Sequence, residues 1–404
     1  MLYSAGSQGT SLVGSSSPRF WVQAGPVPVL SVPTWTISLS TGSVRPHTEP
    51  ASRPLLGIVG EWGDARLARI ESRSLRPLRG PELDLFDPVG AWAFSPDRSR
   101  LALATGCQAG LSLGNLQLVD VRRMRQVGCL AVGYVGALAW PTPNRLLAVA
   151  SSPLEVLLID PGALRIIDRT PVEGVGVVGT ARAGDRLIVL TGRLSGPRRV
   201  VPHRLVVADR GTVRSVDVGS RASGLVADSS GRRAFLVSGG AVVKVDLDTL
   251  AVANLRRSSR QRGRGRVSRE TRAALWMGRG LIASFGSDVT VDGRRFRDAP
   301  VGLRLIDTRT RTARLVDGKV ASAVLAGDVL LATGADEIGL AAYDSRGRKR
   351  FQLFRGRSLG VVETFGGRAY VQVAGKAGLQ TVGLRPGRIL AVRRAPLPLM
   401  LLKG

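Results

Sequence analysis

AWAFSPDRSRLALATG, residues 91–106, joins two apolar stretches through Ser95-Pro96-Asp97. Serine at the first position of a turn, proline at the second and aspartate at the third favour a tight reversal, because proline presets φ and the short polar side chains bond the local backbone. Beyond the turn, Leu101, Leu103 and Thr105 alternate with smaller residues, the period of a strand. The stretch therefore predicts two short antiparallel strands. ALAWPTPNRLLAVA (137–150) aligns with it without gaps, setting Phe94 against Trp140 and Leu103 against Val149. LVADSSGRRAFLVS (225–238) repeats the plan, and weaker copies open near residues 176, 273, 322 and 360.

A second hairpin follows each copy. An apolar strand ends in an acid, about four residues turn, and a base stands five positions after the acid, except where Ala251 and Thr312 take that place. LQLVDVRRMR (116–125), LLIDPGALR (157–165) and LVVADRGTVR (205–214) carry the pattern most clearly. The acids are Glu71, Asp120, Asp160, Asp209, Asp246, Asp307 and Asp344, with Gly383 in the eighth place. Such an acid accepts backbone amides and fixes the reversal. The base is expected across the hairpin neck, where an exposed pair contributes roughly 0–1 kcal/mol. Eight copies spread along one chain do not converge on one site, so their reading is structural.

Each unit thus holds four short strands, and units recur every 37 to 61 residues. That is the signature of a β-propeller blade, since a lone four-stranded sheet leaves both faces uncovered and blades must stack around an axis. The fold class expected is all-β: a single β-propeller of four-stranded blades, eight preferred and seven possible. The earliest unit, 54–79, lacks an innermost strand, and Leu399–Leu402 follows the last complete unit. Pairing of the N- and C-terminal segments would close the ring. The Ser95-Pro96-Asp97 turn and Leu-Ile-Asp-Thr at 305–308 resemble bacterial YVTN-type and tryptophan–aspartate-repeat-like (WD40-like) propellers, over roughly residues 52–404. The resemblance implies fold more than activity, because such families include scaffolds, binding proteins and a few enzymes. The Gly-His and Trp-Asp dipeptides of the tryptophan–aspartate family proper are absent.

Residues 1–50, rich in Ser, Gly and Pro, read as a disordered leader or as translation from a start placed too far upstream; 51–404 read as the propeller. Insertions are expected at 191–204 and 255–300, the second including a hairpin about Asp292-Gly293. No uninterrupted apolar run of about 18 residues exists, so no transmembrane segment is expected. Neither does the N-terminus read as a secretion signal. The compartment stays open, with an extracytoplasmic one favoured.

The net charge is +28, and of 58 basic residues only five are lysines. So lopsided a ratio points to a GC-rich genome as much as to a phosphate-binding surface, yet either origin makes the surface attractive to anions. The sharpest concentration is Arg256, Arg257, Arg260, Arg262, Arg264, Arg266, Arg269 and Arg272, eight arginines within the 18 residues 255–272. Guanidinium forks suit phosphates, sulfates and carboxylates. Interleaved aromatics that would stack on bases are missing, which makes nucleic acid a disfavoured partner. Cys107 and Cys129 flank one strand and could bridge, or remain two small buried thiols; a bridge would favour an oxidising compartment.

Only two histidines occur, His47 and His203, and the second reads as a surface residue in an insertion loop. No metal-ligand, phosphate-loop or nucleophile-elbow motif is present, and GLSLG (110–114) has no partnering histidine. No catalytic residue, metal ligand or cofactor is assigned. Asp185, Asp328 and Glu363 are the acids nearest the expected axis. Trp92, Trp140 and Trp276 read as core, whereas Trp62 could face a partner. The function expected is a non-catalytic binding or protein-interaction platform, monomeric, for an unknown protein or anionic ligand. The alternatives are a lactonase- or lyase-type propeller enzyme with an axial metal, and anionic-polymer binding through 256–272.

Overall fold

The computed structural model describes residues 55–402, apart from 61–63, 72–75, 88, 107–114, 195–199, 220–223, 239–240, 257–267, 293–294, 335–337, 366, 374–378, 386 and 394–399. The described residues belong to one compact unit, and no helix occurs among them. His47, Trp62, Cys107, GLSLG and the expected boundary near residue 50 lie outside them.

Eight antiparallel sheets form an eight-bladed β-propeller. Blade 2 is typical, running Ala91–Phe94, Arg100–Ala104, Asn115–Asp120 and Arg125–Ala131 from innermost to outermost strand. The opening stretch is therefore its inner hairpin, in the register Trp92↔Leu103 and Phe94↔Leu101. Blade 1 takes its innermost strand from the end of the chain: Met400–Leu402 pairs with Leu55–Val59, Leu402 opposite Leu56. The ring is closed by the two ends of the described chain, as the unpaired first unit predicts.

Side chains alternate between the two faces of each blade and interdigitate with both neighbours. One core cluster, with Leu116, Leu118, Leu146, Ala148 and Ile159, fills the gap between blades 2 and 3. Another, with Ile188, Leu205, Leu236 and Val245, fills that between blades 4 and 5. Trp140 is buried in the first of these, and Trp276 in a third between blades 5 and 6, stacked on Phe235 at 5.4 Å.

The strand alternation sends the inner and outer hairpin turns of blades 2 to 8 to one side of the disc, here the turn face. Connections from second to third strand, and from one blade to the next, emerge on the opposite side, the loop face. On the turn face the sequence pattern becomes hydrogen bonds. Ser95 Oγ donates to Asp97 Oδ1 at 2.6 Å and accepts from Arg100 N at 2.9 Å, while Ser99 N and Oγ donate to Asp97. These donors hold the Asp97 carboxyl well down, at about 2, the Ser95 hydroxyl contributing most. In the outer hairpins Asp160 accepts Gly162 N and Ala163 N, and Asp246 accepts Asp248 N and Thr249 N.

The base five positions on is not always across the neck. Asp120↔Arg125 and Asp160↔Arg165 are paired in register, but Asp209 lies opposite Thr212. Arg214 instead reaches the outer turn of the next blade, donating to Asp248 O at 2.7 Å and Leu247 O at 3.0 Å. The same reach recurs around the ring: Arg69 to Arg122 O, Arg100 to Pro161 O and Arg314 to Arg346 O. Arg186 bridges Asp209 of its own blade at 3.0 Å and Asp248 of the next at 2.6 Å. A guanidinium fork reaches several acceptors at once, which an ammonium on a flexible stem does less well. Part of the arginine excess is thus a set of clasps between blades.

The residue four places after the acid carries a further device. Met124, Leu164 and Leu250 are left-handed there, with φ of 50°, 52° and 59°. This conformation disfavours a Cβ, and it is held because each side chain packs into the core shared with the preceding blade.

Candidate functional site

The described parts of the two insertions are strand extensions. In blade 4 the second and third strands lengthen to Arg186–Leu194 and Val200–Asp209, paired as far as Leu194↔Val200. In blade 6 the inner hairpin lengthens to Ser268–Gly278 and Leu281–Asp292, paired as far as Ser268↔Thr290. Arg295–Pro300 adds a third strand against Leu281–Asp292, the extra hairpin that Asp292-Gly293 predicts. All of this rises from the loop face. Blade 5 lies between the two extensions in ring order, and its outer strand, Val252–Arg256, leads into the arginine-rich connection.

Of the eight arginines, Arg256 ends that outer strand, and Arg269 and Arg272 lie on the blade 6 extension, opposite Val289 and Gly286. Arg257, Arg260, Arg262, Arg264 and Arg266 lie outside the described residues. Arg256 Nη1 donates to Arg311 O at 3.2 Å, so it also ties blade 5 to blade 6.

At the foot of the blade 4 extension stands a charged cluster. His203 is only 8% exposed, with Nε2 3.5 Å from Glu173 and Nδ1 3.4 Å from Asp217. Arg204 Nη1 lies 2.9 Å from the other Glu173 oxygen. The surface placement expected of His203 is therefore corrected: the insertion continues the sheet, and residue 203 falls within it. Thr191 Oγ1 donates to Glu173 O at 2.9 Å, fastening the blade 3 to blade 4 connection to the same foot. The cluster anchors the extension with two acids and two bases from three chain segments.

Two of the acids expected nearest the axis, Asp185 and Asp328, are paired with arginines. Asp185 pairs with Arg210 at 3.3 Å and Asp328 with Arg350 at 3.1 Å, both at exposed turn-face positions. Glu363 lies opposite Tyr370 on the innermost strand of blade 8. No grouping of three or more His, Cys, Asp or Glu is placed to hold a metal among the described residues. No described helix is long and apolar enough to cross a membrane. Cys129, on the outer strand of blade 2, is disulfide-bonded.

No family model matches the sequence, and no curated protein matches it. Solved structures do match in fold. The dihydro-heme d1 dehydrogenase NirN, solved in complex with DHE, is 16% identical with a TM-score of 0.59, over 86% of this chain and 76% of that one. AztD from Citrobacter koseri is 11% identical with a TM-score of 0.54, over 86% and 96%. Sqt1 from Saccharomyces cerevisiae is 14% identical with a TM-score of 0.50, over 76% and 85%. At such identities the likeness concerns fold alone: this chain is an eight-bladed β-propeller.

Proposed function

We propose that this protein is a non-catalytic binding platform whose working surface is the loop face of blades 4 to 6. The observation that supports this reading most is the asymmetry of the ring. The inner and outer turns of blades 2 and 5 are short and internally bonded, whereas both strand extensions, and the strand ends Arg256 and Ser268 that the arginine-rich connection joins, lie towards the opposite face. Rigid scaffolds commonly carry their recognition elements on such variable connections. We place the chain with YVTN-type and WD40-like propellers on its turn motifs alone.

The arginine-rich segment sets the chemistry of the partner. Residues 256–272, with their eight positive charges, run from the outer strand of blade 5 to the outer end of the blade 6 extension, which begins at Ser268. Anionic surfaces, acidic protein or polysaccharide, are the class they would hold, in a salt-dependent manner. Replacing 257–267 by a Gly-Ser linker of equal length should lower the salt needed to elute the protein from immobilised heparin; unchanged elution would remove this segment from the interface. The rival enzyme reading is tested separately, since turnover of a lactone panel abolished by Glu363→Gln would overturn the platform.

We further propose that Cys129 bridges to Cys107, tying the connection after the second strand of blade 2 to the blade's outer strand. Peptide mapping under non-reducing conditions should recover the two cysteines in one linked fragment.

A further inference from the structure

Arg182 stands apart from every other arginine described above. It lies on the innermost strand of blade 4, Gly176–Ala183, one residue before that strand ends at the turn face. Its Nη2 donates to the backbone oxygen of Leu138, on the innermost strand of blade 3, at 3.3 Å. That is a long bond to a neutral acceptor. Burial alone pushes the guanidinium below its ordinary range, with no acid opposing it among the described residues.

Its register makes the position unusual. Arg182 lies opposite Leu187, the second residue of the next strand. The same place holds Phe94 in blade 2, Ala227 in blade 5, Trp276 in blade 6, Leu325 in blade 7 and Thr364 in blade 8. Neutral residues therefore suffice for building the ring there. A guanidinium largely drawn from water, with no counter-charge among the described residues and only one long bond to a carbonyl of the neighbouring blade, is destabilising. Thr180, two residues earlier, shares its face of the strand by alternation and brings a hydroxyl to the same side.

We propose that Arg182, seconded by Thr180, forms an anion-binding site at the inner margin of the blade 3–blade 4 interface, taking a ligand that presents a carboxylate or phosphate group. The planar fork offers the ligand two parallel donors while a third remains on Leu138, and the apolar surroundings strengthen the pairing. The site is independent of the loop face, and either can fail without the other.

Thermal unfolding of the full chain tests it, comparing chloride with inorganic phosphate and with acetate at matched ionic strength and pH. The wild type and Arg123→Met, an exposed turn-face control, should gain a midpoint rise of roughly 2–4 °C in phosphate, acetate or both. Arg182→Met should lose that rise, and in chloride alone should be no less stable than wild type, having shed an uncompensated charge. Arg182→Lys, which keeps charge but not the fork, should retain at most half of the rise, and decides the matter if the methionine variant does not fold. Equal rises in all variants, or no rise in the wild type with either anion, would overturn the site.

Discussion

On the turn face, Asp120, Asp160, Asp246 and Asp307 each gather backbone amides two and three residues on, and arginines from one blade hold the carbonyls of the next. On the loop face, blades 4 and 6 send out paired extensions, and the arginines cluster in a connection instead of recurring once per blade. The same residue type therefore does two jobs. Spaced by the repeat, arginine is a clasp whose acceptors belong to the protein. Concentrated between blades 5 and 6, it forms the segment proposed above to meet counter-charges from a partner, with Arg256 at its start also holding Arg311 O of the next blade. Net charge alone would have hidden this division.

The two faces should part company when each is altered. The largest effect belongs to the ring that both share: Leu402→Ala, at a buried position opposite Leu56, should cost about 2–5 kcal/mol in urea unfolding. Next comes the turn face. Arg214→Met removes two bonds to the blade 5 turn and should cost roughly 1–3 kcal/mol. The linker replacement of 257–267 on the loop face should change stability by no more than about 0.5 kcal/mol. A larger loss there would erase the distinction drawn between the faces.

Tyr343→Phe sharpens the account of the clasps. Tyr343, from the third strand of blade 7, donates to Asp317 Oδ2 of blade 6 at 2.5 Å. Burial pushes the Asp317 carboxyl up, but Tyr343, Lys319 N and Lys349 together hold it below its usual range. Removing the hydroxyl should cost about 1–2 kcal/mol, read as a fall in the urea midpoint at neutral pH.

Asp97 gives the smallest effect expected of a turn-face substitution. Its carboxyl is held at about 2 in the folded chain, below its unfolded value, so its contribution is complete above about pH 4 and is lost as the pH falls towards 2. Asp97→Asn should lower the thermal midpoint by about 1–2 °C at pH 7 and by much less at pH 2. An equal deficit at both pH values would show that the turn owes nothing to the charge.

Much of this was legible in the sequence because the repeat has its own chemistry. Ser95-Pro96-Asp97 and the acid-to-base spacing mark hairpins through local hydrogen bonding, which a sequence shows directly. The unpaired first unit and the apolar end at 400–402 foretold the ring closure for the same reason: a blade short of one strand must find it. What stayed hidden depends on neighbours. That Arg214 reaches forward to blade 5 instead of back to Asp209 follows from interblade geometry. His203 looked exposed because an insertion rich in Gly, Pro and Arg reads as a loop, yet its ends continue a sheet that buries the ring between Glu173 and Asp217. Arg182 drew no notice, because an arginine in an apolar run becomes unusual only when the inner strands are aligned in register.

The central claim, that the loop face of blades 4 to 6 binds and the turn face holds the ring together, is tested most directly by two charge-matched variants. One replaces Arg260, Arg262, Arg264 and Arg266 by serine; the other does the same to Arg122, Arg123, Arg309 and Arg346 on the turn face. Both lose four charges, and both are eluted from immobilised heparin by a salt gradient. The loop-face variant should elute at clearly lower salt, with the turn-face variant close to wild type. Equal shifts would mean that net charge alone governs binding, and a larger shift for the turn-face variant would put the binding surface on the opposite side of the ring.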